Sequence, residues 1–411
     1  MGRRHAPRQG TKRRSGLAAI VAQGSLTAGG FALQVLAARS LGVAGLGQFG
    51  LLYGNLILAT AITSGFVGDS MIVLDRHEPA VRAALQNWLL LISALCAAAC
   101  FLVSWATGFV GFRAALAFGA ATFVFLIEDA VRKLLVATMM FGRIVAIDTT
   151  SLLAMVVFVL LTPTVTLASL FLALIVGQLS AVAVGICLLP VAERRLARPL
   201  PARHRVVAAY GLWRSLQQAV QPSLLALMRV TVIGTVGLAA AGGLEAARIY
   251  TAPAMLVVHG LGWFLFASYA VSRAPMPTAV RSADKEALAL TLFTVVLGIC
   301  AVVAIPLIGP LITGHDISAV TAVGWLVYTV SAAAGLPYSL LGAVRGMQVA
   351  VLVTQLAAAV LSLVFVAALA HMVRSVEWVP FALAIGPFAA APTMRQYMLR
   401  SKRHSDQRSR T

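Results

Sequence analysis

Apolar runs of about 20 residues recur from one end of the chain to the other, each broken by only a short polar stretch. A run of that length spans the hydrocarbon core of a bilayer as a helix. The pattern predicts twelve spans, near residues 17–38, 47–73, 83–107, 112–133, 144–162, 166–190, 207–233, 244–270, 287–309, 318–341, 348–372 and 377–397. The basic stretch MGRRHAPRQGTKRRSG resembles the start of a secretory signal. The apolar run behind it reaches Ala38 with no cleavage-site pattern, so it reads as a first membrane helix.

Composition agrees with that pattern. Of the 411 residues, 60 % are hydrophobic and 11 % charged, against roughly 25 % charged in soluble domains. The formal charge of +19 invites a nucleic-acid reading, but the placement of the basic residues argues against it. With twelve spans, 26 of the 32 Lys and Arg fall in the two termini, every second loop and the adjoining helix ends, and only Arg39, Arg113 and Arg374 on the other side. That is the bias of cytoplasmic loops, so both termini are expected in the cytoplasm, with membrane lipids rather than nucleic acid as partners. Cys96, Cys100, Cys187 and Cys300 all lie in apolar runs with no acid or histidine spaced to complete a metal site. They read as small buried hydrophobes; no metal or cofactor is expected.

The longest basic connection, ERRLARPLPARHR at 193–205, follows six spans and precedes six more. The chain therefore divides into a basic N-terminus (1–16), a first six-helix lobe (17–190), a basic linker (191–206), a second six-helix lobe (207–397) and a basic tail (398–411). The halves are weakly similar. AGLGQFGLLY at 44–53 aligns with AGGLEAARIY at 241–250, and FGRIVAIDTTSLLAMVVF at 141–158 with RGMQVAVLVTQLAAAVLS at 345–362. Their order is the same in both halves, which implies a parallel repeat. The expected fold is an all-α polytopic membrane protein: two pseudo-symmetric six-helix lobes around a central cavity.

Residues 36–58, LAARSLGVAGLGQFGLLYGNLIL, resemble the first-loop signature of polysaccharide flippases, an Ala-Arg-x-Leu-Gly turn before a Gly-x-Phe-Gly helix start. VATMMFGRIVAID, at 136–148, is similar to the stretch joining helices four and five in that family. The family belongs to the multidrug/oligosaccharidyl-lipid/polysaccharide (MOP) exporter superfamily. The resemblance implies two six-helix lobes in a bacterial cytoplasmic membrane and a polyprenyl-diphosphate-linked oligosaccharide as cargo. It also implies a polysaccharide polymerase or glycosyltransferase as partner.

The seventh span, YGLWRSLQQAVQPSLLALMR at 210–229, carries two arginines, three glutamines and a proline. Arg214, Gln218, Gln221 and Arg229 project within about 80° of one another, with Gln217 on the flank. Gln23 and Gln34 repeat the polar face more mildly on the first span. Polar side chains at membrane depth are tolerated where they face protein or a wet cavity. A guanidinium fork matches phosphate oxygens, and an amide both donates and accepts, as sugar hydroxyls require. Arg214, Gln217, Gln218, Gln221, Arg229, Gln23, Gln34 and Arg248 are thus candidate cavity residues. Beside that stand the structural readings: arginines snorkelling to the boundary, glutamines joining helices, and Arg248 pairing locally with Glu245. Pro222, and Gly29 with Gly30, are candidate hinges.

Asp69 and Asp148, near the inner ends of the second and fifth spans, have two readings, structural placement or cation coupling and gating. Glu128 and Asp129, the other coupling candidates, each have a base four residues on, Arg132 and Lys133, the spacing of ordinary helix-surface pairs. An alternative function is a cation-coupled multidrug exporter of the same superfamily; such exporters resemble one another in an acid on the first helix, and 17–38 has none. A peptidoglycan-precursor flippase is expected to add two helices. A membrane enzyme of polysaccharide assembly is expected to show a large outer loop or an intramembrane His/Asp pair. Neither feature is present, nor is any nucleotide fingerprint, so the chain reads as a transporter and not an enzyme.

Overall fold

The computed structural model describes residues 28–138, 140–194, 203–272, 274–373 and 375–408. Among them run twelve long helices: α1 (28–40), α2 (Gly42–Val73), α3 (Pro79–Ala106), α4 (Phe112–Ala137), α5 (Phe141–Leu160), α6 (Leu167–Leu188), α7 (His204–Thr235), α8 (Leu238–Val271), α9 (Met276–Thr313), α10 (Ala319–Val344), α11 (Gln348–Met372) and α12 (Val379–Arg408). No strand occurs among the described residues. Eight helices are long and apolar enough to cross a membrane by length and composition: α2 to α6 and α9 to α11.

The helix ends follow local chemistry. Thr166 caps α6, its hydroxyl accepting from the Ser169 N–H at 3.2 Å while its own N–H donates to Ser169 Oγ at 2.7 Å, a reciprocal capping box. Val236 and Gly237 alone join α7 to α8, and Gly237 sits at φ 113°, where a side chain is strained. Gly314 ends α9 in the left-handed region and donates to Pro310 O at 2.9 Å. Helix α9 outruns the expected 287–309 at both ends, and α12 continues to Arg408. Hydropathy marks the apolar middle of a helix, not the polar turns that continue it.

The chain forms two compact units. The first gathers the residues up to Leu33 with Leu52–Pro222; the second gathers Gln34–Leu51 with the residues from Ser223 onward. In the first unit α4 packs on α3 and α6, and α6 on α5. Its core includes Phe66, Val67, Val81, Leu85, Ala130 and Val207, from α2, α3, α4 and α7. In the second unit α10 packs on α8, α9 and α12, around Met228, Leu244, Tyr250, Trp325 and Tyr328.

Within the second unit lies an arrangement that the repeat foreshadowed without locating. The aligned segments 44–53 and 241–250 pack on one another. A Cβ on Gly47 would collide with Leu238 O, and one on Gly242 with Val43 O, so the two helix starts approach backbone to backbone. Glycines make close helix crossings possible in membranes. Large apolar side chains point away from the protein instead, as with Leu292, Val296, Val303 and Leu307 on α9. Cys187 and Cys300 are exposed and Cys96 and Cys100 only half-buried, contrary to the expected burial. An apolar run in a membrane protein need not face protein, because lipid satisfies it equally.

Candidate functional site

Helix α2 is not regular. Over Ser64–Gly68 it widens into one π turn before resuming at Asp69. A π turn inserts one residue, turns everything after it by about 100°, and loosens the i→i−4 ladder. Ser215 of α7 donates to Ile62 O at 2.9 Å, directly before the widened turn. The helices meet there at their backbones: a Cβ on Gly65 would lie 2.7 Å from Ser215 Cα, and one on Gly211 2.5 Å from Phe66 O.

The turn presents Asp69 to α7. Arg214 donates to its Oδ2 through Nη2 at 2.6 Å and Nε at 2.9 Å, and Gln218 Nε2 reaches the same oxygen at 2.8 Å. Lys133 of α4 stands 3.9 Å from Oδ1. The remaining guanidinium nitrogen of Arg214, Nη1, donates to Gln217 Oε1 at 2.8 Å. One carboxylate thus faces two cations and an amide. The cluster is partly open: the side chains of Arg214, Lys133 and Asp69 keep 30 %, 20 % and 14 % of their exposure.

The second unit holds a different charge group. Glu245 accepts from Arg229 Nε and Arg248 Nε, both at 2.7 Å, and Arg248 Nη2 donates to Gln34 Oε1 at 2.6 Å. Gly50 makes the room, since a Cβ there would lie 2.5 Å from Glu245 Cγ. The side chains of Glu245 and Arg229 are only 2 % and 6 % exposed. Arg229, so far withdrawn from water, is held by the Glu245 carboxylate, which Arg248 also solvates; removing one partner of such a buried pair costs about 3–5 kcal/mol.

A third group lies in the first unit. Glu128, Asp129, Arg132 and Asp148 are all buried, not paired on an open helix surface as expected. Arg132 Nε approaches Asp148 Oδ1 at 3.6 Å, and Lys133 turns to Asp69 on α2. These bases therefore reach neighbouring helices, because the helix face that spacing suggested is covered by α2 and α5.

The seventh span was expected to carry one continuous polar stripe. Arg214, Gln217 and Gln218 join Asp69 in the first unit, while Arg229 joins Glu245, Arg248 and Gln34 in the second. Pro222 sits at the division of α7 between the units, and Gln221 beside it is exposed. Tyr53 Oη lies 2.7 Å from where a Cβ on Gly30 would be, whereas Gly29 has open space around it. Gln23 lies outside the described residues. Sequence reasoning assigned no site role to Lys133, Ser215, Gly50 or Glu245. Only Glu245 left a usable signal: an acid three residues before Arg248, at the repeat position of Gln48.

No family model matches the sequence, and no curated protein matches it. Solved structures do match in fold. An inward-facing multidrug resistance MATE family transporter of the MOP superfamily superposes with a TM-score of 0.73 at 14 % identity, over 93 % of this chain and 98 % of that one. A MOP superfamily transporter from Pyrococcus furiosus, whose pocket is described as of reverse polarity, gives 0.66 at 14 % identity, over 94 % and 95 %. An outward-facing MATE family transporter gives 0.64 at 16 % identity, over 97 % of each chain. The chain has the twelve-helix fold of the MOP-superfamily transporters.

Proposed function

We propose that this chain is a multi-pass transporter of a bacterial cytoplasmic membrane, with both termini inside, that works by alternating access and expels a small organic molecule in exchange for a cation. The observation that carries the reading is the fold match over nearly the full length of structures named as multidrug resistance transporters. Charge balance supports the cargo class. Arg214 and Arg229, the cations on which a diphosphate seat would rest, each give donors to a carboxylate of their own unit. In the first unit three acids, Glu128, Asp129 and Asp148, are buried with Arg132, which approaches Asp148 at 3.6 Å. An excess of carboxylate at membrane depth favours cation binding, and these acids take the coupling role that an acid on the first helix has in such exporters.

A second reading, flipping of a polyprenyl-diphosphate-linked oligosaccharide beside a polymerase or glycosyltransferase, is favoured by the signature at 36–58 and by the lack of any acid in 17–38. One reconstitution separates the two. Vesicles carrying the protein are loaded with a cationic dye, or with a labelled polyprenyl-diphosphate sugar in one leaflet, with and without a proton or sodium gradient. Gradient-dependent dye efflux that fails in Asp148→Asn supports the exporter. Lipid translocation without dye efflux replaces it with the flippase, and neither activity removes both.

A further inference from the structure

The contact of α2 with α7 differs in kind from the other charged contacts, and the difference suggests what it does. Asp69 and Lys133 come from the first six helices, and Arg214 and Gln218 from the seventh. Any parting of the two sequence halves at the end of α2 must break the bonds of Arg214 and Gln218 to Asp69, while Lys133 stays beside the carboxylate. At Glu245, by contrast, both arginine partners lie in the second half, so its pairs survive such a parting. The Asp69 cluster is also the more hydrated. A partly exposed ion pair opens at modest cost because water replaces the partner, whereas the Glu245 pair has no water to turn to. Around the cluster, the α2–α7 surface consists of backbone against backbone at Gly65 and Gly211. Beside these crossings Phe66 and Val67 of α2 share a core with Val207 of α7, so a parting there also unpacks apolar side chains.

We propose that Asp69 and Arg214, with Gln218 and Lys133, form a latch that closes α7 on α2 at the cytoplasmic side and is broken and remade in each transport cycle. The π turn is part of the device. It sets Asp69 in phase with Arg214, and Ser215 reaches its edge at Ile62 O. The latch rests on the alternating-access reading but not on the identity of the cargo.

Thiol accessibility tests it in the full-length chain, with the four native cysteines replaced by serine. Ser215 and Ser64 are 6 % exposed in the closed contact, and Ser362, in the second unit, is fully buried. Each is changed singly to cysteine and labelled with a membrane-impermeant maleimide in inside-out vesicles. Asp69→Asn is expected to speed labelling at 215 and 64 by about tenfold, the loss of a charge-assisted hydrogen bond, with position 362 unchanged. Arg214→Gln should do the same, and the double variant no more than either single one, because both act through one contact. Labelling at the parent rate in Asp69→Asn overturns the latch. Should Asp69→Asn also speed labelling at 362, the milder Gln218→Leu decides: faster labelling at 215 and 64 alone upholds the latch, and no change overturns it. The assay needs no cargo, so failure of the latch is read separately from failure of the exporter: parent-rate labelling removes the latch alone, and loss of dye efflux with the labelling response intact removes the cargo alone.

Discussion

At the scale of the residue, partners divide into those a sequence displays and those it hides. Arg248 and Glu245 are three apart on one helix, and the sequence expectation of a local pair matches the 2.7 Å contact. Arg229 shares the same carboxylate from another helix, and Arg214 finds Asp69 across 145 positions. No local spacing encodes such meetings, because helix packing decides which faces oppose. Two outcomes follow. Glu245→Gln keeps the shape but leaves Arg229 buried without its counter-charge, so unfolding in detergent should show a loss of about 3–5 kcal/mol. For the glycines, Gly242→Ala drives a Cβ into Val43 O, whereas Gly243→Ala meets open space. The first should lower the thermal midpoint and the second should not, since alanine is the better helix former by about 1 kcal/mol.

At the scale of the element, the apolar runs located the helices well. Helix α11 lies where hydropathy places it, at 348–372, and α4 begins at residue 112 as expected. A single mean property suffices there, because a bilayer demands unbroken apolarity and satisfied backbone. The π turn in α2 stayed hidden. Its sequence SGFVG changes neither the length nor the apolarity of the span, only its phase, and hydropathy is blind to phase. Deleting Val67 should restore a regular helix, turn Asp69 by about 100° away from Arg214, and raise maleimide labelling at position 215 as Asp69→Asn does. Ser215→Ala removes the hydroxyl donated to Ile62 O, and a loss of about 1 kcal/mol in chemical unfolding is expected for that hydrogen bond.

At the scale of the whole molecule, charge distribution predicts orientation: a fluorescent protein fused after Thr411 should fluoresce, whereas alkaline phosphatase fused at Gly108 should be active and at His77 inactive. The buried pair of Arg229 and Glu245 bears on how the chain reaches the membrane at all. A lone arginine or glutamate in a span costs on the order of 2.5–3.5 kcal/mol to insert, and α7 carries further polar residues besides. The pair spans α7 and α8, which only Val236 and Gly237 connect. Glu245 of α8, already beside Arg248 on its own helix, supplies the counter-charge that α7 lacks for Arg229. Biogenesis therefore has to deliver them together, as one hairpin that leaves the translocation machinery with Arg229 already seated on Glu245. Fused alone to a reporter, α7 should insert poorly, and α7 with α8 as a hairpin should insert well.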